Sequence, residues 1–178
     1  MPLTIELPSH ESMAEFNLSR WRELMNDPWL SKIEGRIETD RYGHVIMSPP
    51  PNSFHGSYQS EIAFLLRTLL VAGRTITECP ISTSDGVRAA DVAWFSAERI
   101  ASHREEVVFT VAPEICVEVL SPSNTVEEMR DKAALYFDAG ALEFWQCTQE
   151  GAMNFQNSQG PLTGSILCPS FPKKVTLS

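Results

Sequence analysis

Basic charge is scarce in this sequence: 14 lysines and arginines face 23 aspartates and glutamates, for a formal net charge of −9. Non-specific nucleic-acid binding rests mainly on cations that neutralise phosphates, so any such contact needs a local basic surface. No apolar run approaches the roughly 18 residues of a membrane-spanning helix. The opening stretch MPLTIELPSHESMAEF lacks the basic-then-apolar profile of a secretory signal, and a cytoplasmic location is expected. Cysteine is sparse too. Cys79, Cys116, Cys147 and Cys168 lie far apart with no CxxC pair, and three of them sit in apolar segments. Reduced, buried thiols are expected rather than disulfides or zinc ligands. No internal repeat or long low-complexity tract is present. What remains is 178 residues, 43% of them hydrophobic, enough for one sizeable core and hence a single domain over 1–178.

Periodicity sets the expected elements. Met13, Phe16, Leu18, Trp21 and Leu24 recur at near-helical spacing and predict an entry helix from about Glu11 to Met25. The alternation in KIEGRIETDRYGHVIMS predicts a hairpin turning near Asp40 to Gly43, ended by Pro49, Pro50 and Pro51. Tyr58, Ile62, Leu65 and Leu69 form one stripe of a helix running from Ser53 toward Gly73. TITECPIS and VRAADVAWFS read as strands joined at Ser84-Asp85-Gly86, and VVFTVAPEICVEVLS reads as a buried strand. Thr125 and Glu128 fit a capping box opening a helix with Met129, Ala133, Tyr136 and Phe137 on its apolar stripe, closed by Gly140. ALEFWQC, EGAMNFQ and the tail from Ser165 suggest three further strands, with QNSQGPLTG as separator.

Asp91 and Glu118 interrupt these apolar strands, where carboxylates rarely sit without a partner or a task. In the strand around Glu118, Cys116 and Leu120 share its face while Ile115, Val117 and Val119 take the other, so no rotation places every polar group in water. Asp91 is expected to share a face with Ala93 and Phe95. If the strands are neighbours, two unit charges about 4 Å apart repel by roughly 4 kcal/mol at an effective dielectric near 20. A divalent cation, a lysine or a shared proton must offset that. Magnesium suits such a pair, as a hard cation that takes one or two carboxylates and fills its other positions with water and phosphate oxygens. Lys132 lies beside the buried stripe, placed to fold back over the acids or, in the plainer reading, to pair with Glu128. Glu61 is a further candidate on the helix before the strands. His55 precedes that helix and receives no catalytic role, and Tyr136 and Trp145 read as core aromatics.

The order Asp91, Glu118, Lys132, set in ADVAWFS, PEICVEVLSPSN and DKAALYFDAGALEFWQ, resembles the Uma-type family of small restriction-endonuclease-like proteins, within the PD-(D/E)XK nuclease superfamily. The resemblance covers roughly Trp21 to Phe171 and is most specific from Pro113 to Trp145. It implies an α/β (α+β) fold with an αβββαβ core, a mixed central sheet flanked by helices, an N-terminal helix and hairpin, and extra C-terminal strands. It implies a metal-dependent endonuclease that hydrolyses DNA, with Asp91 and Glu118 as ligands of Mg2+ (or Mn2+), Lys132 as the catalytic lysine and Glu61 as the glutamate of the first core helix. Two departures stand out: Leu120 occupies the superfamily's usual lysine position, and Ala90 replaces the usual proline. The alternative is an inactive descendant acting as a nucleic-acid or protein binding module. No membrane partner is expected, and a homodimer is left open.

Overall fold

Polar caps decide where the helices begin. The Ser12 side chain accepts from Glu15 N to open α1 (Met13–Met25), Asn52 from His55 N to open α2 (Ser53–Leu69), and Ser96 from Arg99 N to open α3 (Ala97–Ala101). Thr125 and Glu128 form the reciprocal capping box of α4 (Val126–Asp138). Each cap satisfies an N–H that has no partner inside its helix, a contribution of about 1 kcal/mol. This computed structural model describes residues 12–32, 34–48 and 52–177; the expectations for Glu11 and for Pro49 to Pro51 fall outside them.

β1 (Arg36–Thr39) and β2 (Val45–Ser48) form a separate antiparallel hairpin. The remaining strands, β3 (Gly73–Thr83), β4 (Gly86–Ser96), β5 (Ile115–Val119), β6 (Glu143–Cys147), β7 (Met153–Asn157) and β8 (Gly160–Leu162), build one six-stranded sheet in sequence order. Only β5 and β6 pair in parallel, through the crossover that contains α4. The run α2-β3-β4-β5-α4-β6 is the expected αβββαβ core with a mixed sheet. On one face, Val92, Val117, Val119, Trp145 and Phe155 pack with Tyr58, Ile62 and Leu66 of α2 and with Phe171 and Val175. On the other, Cys79, Ala93, Phe95, Cys116 and Phe144 pack with Met129, Ala133 and Tyr136 of α4. A large apolar side chain buried this fully contributes roughly 1.5–3 kcal/mol, so these two layers carry the fold. Trp21 and Leu24 of α1 close a smaller cluster with Val87 and Val108.

Gly86, at φ +88°, seats the hairpin against the sheet: a Cβ there would come within 2.2 Å of the Thr39 carbonyl oxygen. α2 ends at Leu69 rather than running to Gly73, because Gly73 is already the first rung of β3, paired with Ser96. The expected strand from Val107 is shorter than its apolar content suggests. Only Ile115–Val119 forms a strand, while the preceding stretch is a loop fastened by an isolated parallel bridge between Phe109 and Ile81, and Pro113 has no N–H to offer a ladder. The expected C-terminal strand is also replaced: the tail lies irregularly over the α2 face, and the presumed separator supplies β8, hairpinned to β7. All four cysteines are buried and free. Among the described residues no helix is long and apolar enough to cross a membrane.

Candidate active site

β4 and β5 pair from Trp94–Ile115 to Val92–Val117 and then part. Asp91 and Glu118 are the next residue on each strand, so the two acids face one another where the sheet forks. Asp91 Oδ2 takes up a freed ladder donor, accepting from Val119 N at 2.6 Å. The β3 side is irregular at the same level. Thr77 pairs with Val92 and Cys79 with Ala90, while Glu78 and Asp91 between them make no rung. Glu78 has φ +51°, a left-handed conformation that costs a non-glycine residue about 1 kcal/mol or more. The pleat slips there, since Ala90 packs in the same core layer as Ala93 and Phe95. This corrects the expectation that Asp91 shares their face: it stands at the slip, and its carboxylate meets Arg36, His55 and Val119 N instead.

Three elements supply the partners. From β1, Arg36 contacts Asp91 Oδ1, grips both oxygens of Glu78 at 2.7 and 3.0 Å, and lies 3.9 Å from Glu118 Oε2. Glu38, two residues along the strand, accepts from Ala89 N at 2.8 Å. From α4, Lys132 Nζ meets Glu118 Oε2 at 3.0 Å, Glu38 Oε1 at 3.2 Å and Ala89 O at 3.4 Å, three acceptors for its three protons. Tyr136, one turn on, donates to Glu118 Oε1 at 2.9 Å. From α2, His55 Nε2 lies 3.2 Å from Asp91 Oδ2, and Gln59 donates to Asp91 O and Glu78 Oε1. All of these side chains except the fully buried Tyr136 line an open cleft of ≈ 1000 Å³.

The electrostatics follow from burial and these contacts. Burial works to lower the Arg36 pKa, but the hydrogen bond to Glu78 and the fields of Glu118, Glu78 and Glu38 outweigh it and raise it. Burial, helped by the Arg36 charge, pushes the His55 pKa down and keeps the imidazole neutral at pH 7. Burial and the Glu118 charge push Tyr136 well up, so it stays a protonated donor. Glu78 feels burial upward, yet its bonds to Arg36 hold it below the ordinary carboxylate value.

Asp91, Glu118 and Lys132, far apart in sequence, thus meet in one cleft. Lys132 pairs with Glu118 and Glu38 rather than with Glu128, whose carboxylate is engaged in the capping box. Glu61 is not among the cleft-lining residues. It follows Gln59 by two positions, about 200° around the helix at 3.6 residues per turn, and Gln59 and His55, one turn apart, are the α2 side chains that reach Asp91. Leu120, at the usual lysine position, packs against the α4-side core. Arg36, Glu38, Glu78, Gln59 and His55 escape the sequence reading. The alternation that puts Arg36 and Glu38 on one side of β1, opposite Ile37, groups two of them but does not by itself distinguish them from solvent-facing residues of a hairpin.

Among the described residues no three His, Cys, Asp or Glu side chains converge as a ready-made metal cage. The donor chemistry nevertheless suits a hard divalent ion. Four carboxylates (Asp91, Glu118, Glu38, Glu78) face two cations (Arg36, Lys132), leaving two negative charges uncompensated, and Arg36 already stands as a cation between the acids at the fork.

No curated protein matches the sequence. Among solved structures, a putative nuclease belonging to DUF820 from Anabaena variabilis shares the fold, with a TM-score of 0.63 and 21% identity over 78% of this chain and 79% of that one. The Uma2 family, described as putative restriction endonuclease, matches residues 27–153, a span that holds the sheet fork, α2, α4 and every cleft residue described above. With that span covering well over half its length, the chain belongs to the Uma2 family of restriction-endonuclease-type proteins.

Proposed function

We propose that the protein is a divalent-metal-dependent endonuclease that hydrolyses phosphodiester bonds in DNA. The observation that carries this reading is the meeting of Asp91 and Glu118 at the sheet fork with Lys132 Nζ 3.0 Å from Glu118, in a cleft open to a polymer. Asp91 and Glu118 would hold Mg2+ or Mn2+, which supplies a more acidic attacking water and neutralises charge building on the phosphate. The chain's own groups do the rest. Val119 N and Tyr136 fix one oxygen of each acid, leaving Asp91 Oδ1 and Glu118 Oε2 for exchangeable partners. Lys132 is placed to orient the water and to steady negative charge on the phosphate in the transition state. Arg88 lines the cleft, and Arg67 lines a second groove that meets it at Gln59, giving the local cations that an acidic protein needs to hold DNA. Arg74, exposed at the start of β3, and Arg130, exposed on α4, would add to them.

One observation favours a catalytically idle binding module instead: every oxygen of Asp91 and Glu118 already has a protein partner. Cleavage assays separate the readings. Metal-stripped protein incubated at low salt with supercoiled, linear and single-stranded DNA should cut on addition of magnesium or manganese, and Glu118→Ala should abolish the cutting. A pure preparation that leaves all three uncut with both metals would establish the idle module, and activity that survives in Glu118→Ala would belong to a contaminant.

A further inference from the structure

Resting on the metal-dependent reading above, we propose that Arg36 is a displaceable counter-cation: its guanidinium holds the metal position while the ion is absent, and withdraws onto Glu78 when the ion enters. The oxygens at the fork divide into two kinds. Asp91 Oδ2 is fixed by the Val119 backbone N–H, with His55 Nε2 beside it at 3.2 Å, and Glu118 Oε1 by the buried Tyr136 hydroxyl. The outward pair, Asp91 Oδ1 and Glu118 Oε2, meet only long cationic side chains, and Arg36 is the one that reaches both. A metal held by the two acids would draw on this outward side. Its charge would compete with the Arg36 guanidinium at Asp91 Oδ1, because two cations beside one oxygen repel.

Three features make Arg36 releasable. Its strand has four residues, belongs to a two-stranded hairpin, and lies outside the six-stranded sheet. Its second partner, Glu78, is half-exposed at the rim and already grips it through both carboxylate oxygens, so a side-chain pivot loses Asp91 without stranding the charge. Glu78 is also the described non-glycine residue with a left-handed backbone, and that strained conformation sits beside the unpaired rung opposite Asp91. Lys132, by contrast, is saturated by three acceptors and is fixed to α4. The reading gives Arg36 a positioning role: it offsets the mutual repulsion of the two acids before the ion arrives.

Manganese titrations of the full-length protein, followed by the EPR signal of free Mn2+ at fixed ionic strength, test this. Arg36→Gln should bind Mn2+ about tenfold more tightly than wild type, a difference of about 1.4 kcal/mol. Arg36→Lys, which restores the charge, should return most of the way to wild-type affinity. With EDTA, Arg36→Gln should melt below wild type, and saturating Mn2+ should close the gap. Wild type that binds Mn2+ while Arg36→Gln binds it equally or more weakly would overturn the proposal and leave the metal reading standing; no binding by either would overturn both. If Arg36→Gln does not fold, the Arg36 Nε–H resonance of wild type, assigned against Arg36→Lys, decides the matter: it should shift as Mg2+ saturates, and an unmoved signal at saturation refutes displacement.

Discussion

Glu143 on β6 and Glu118 on β5 are neighbouring-strand glutamates of nearly equal burial, 2% and 3% exposed, yet they are held in opposite ways. Glu143 gives one oxygen to the backbone N–H groups of Ile166 and Leu167, both at 2.8 Å, and the other to Trp145 Nε1 at 2.7 Å. All three donors are neutral, and two of them are backbone N–H groups. Glu118 and its neighbour Asp91 each give one oxygen to a fixed neutral donor, Tyr136 and Val119 N, but turn the other to a cation from another element, Lys132 and Arg36, and the four-carboxylate cluster keeps a surplus of two negative charges. A carboxylate met by fixed dipoles is tied off and serves the fold. One met by mobile cations, in a cluster short of positive charge, is poised to exchange a partner. Burial alone therefore does not mark a functional acid; the kind of donor does.

That contrast predicts divergent mutants. Asp91→Asn should lower cleavage by roughly 10³-fold or more, since it removes a proposed metal ligand, while stability in denaturant stays within about 1 kcal/mol because the substitution relieves surplus charge. Glu143→Ala should do the reverse, costing about 3 kcal/mol in the same titration by orphaning the buried Trp145 Nε1 and two partly buried backbone donors, with divalent-ion binding of the folded fraction unchanged. Equal stability losses at the two sites would break the comparison. Lys132→Ala sharpens it further: cleavage should slow by roughly 10²-fold while calorimetry still detects the ion, as expected for a group that acts mainly in the transition state.

The smallest effect concerns His55, whose folded pKa lies below its ordinary 6.5 through burial and the Arg36 charge. Above that pH the imidazole is neutral in both folded and unfolded chains. As pH falls below 6.5 the unfolded chain takes up the proton first, so stability should decline, by no more than about 1 kcal/mol per pH unit, until the folded imidazole charges as well. Thermal melts in EDTA should show this decline between pH 6.5 and 5 in wild type, and His55→Gln should flatten it.

The core order and the acid, acid, lysine set are legible in the sequence because each lies in a periodic segment whose pattern it interrupts. Asp91 breaks an apolar strand, Glu118 another, and Lys132 borders a helical stripe. The remaining cleft residues carry no such mark. Arg36 alternates normally in a half-polar hairpin, and its partners Glu78 and Asp91 lie 42 and 55 residues away. Glu61 looks as good a helix glutamate as any until the helix is docked, when rotation favours Gln59. The long strand expected from Val107 and the tail strand fail for one shared reason: β-branched and apolar content reports burial, and outside β5 each segment pairs only through one isolated bridge, Phe109 with Ile81 and Lys174 with Ala152.

Calorimetric titration of Mg2+ into metal-stripped wild type and Asp91→Ala tests the central claim, that the sheet fork is a metal site, most directly. The account predicts a saturable binding step in wild type that the variant loses while remaining folded. Identical isotherms, or no step in either protein, would contradict it.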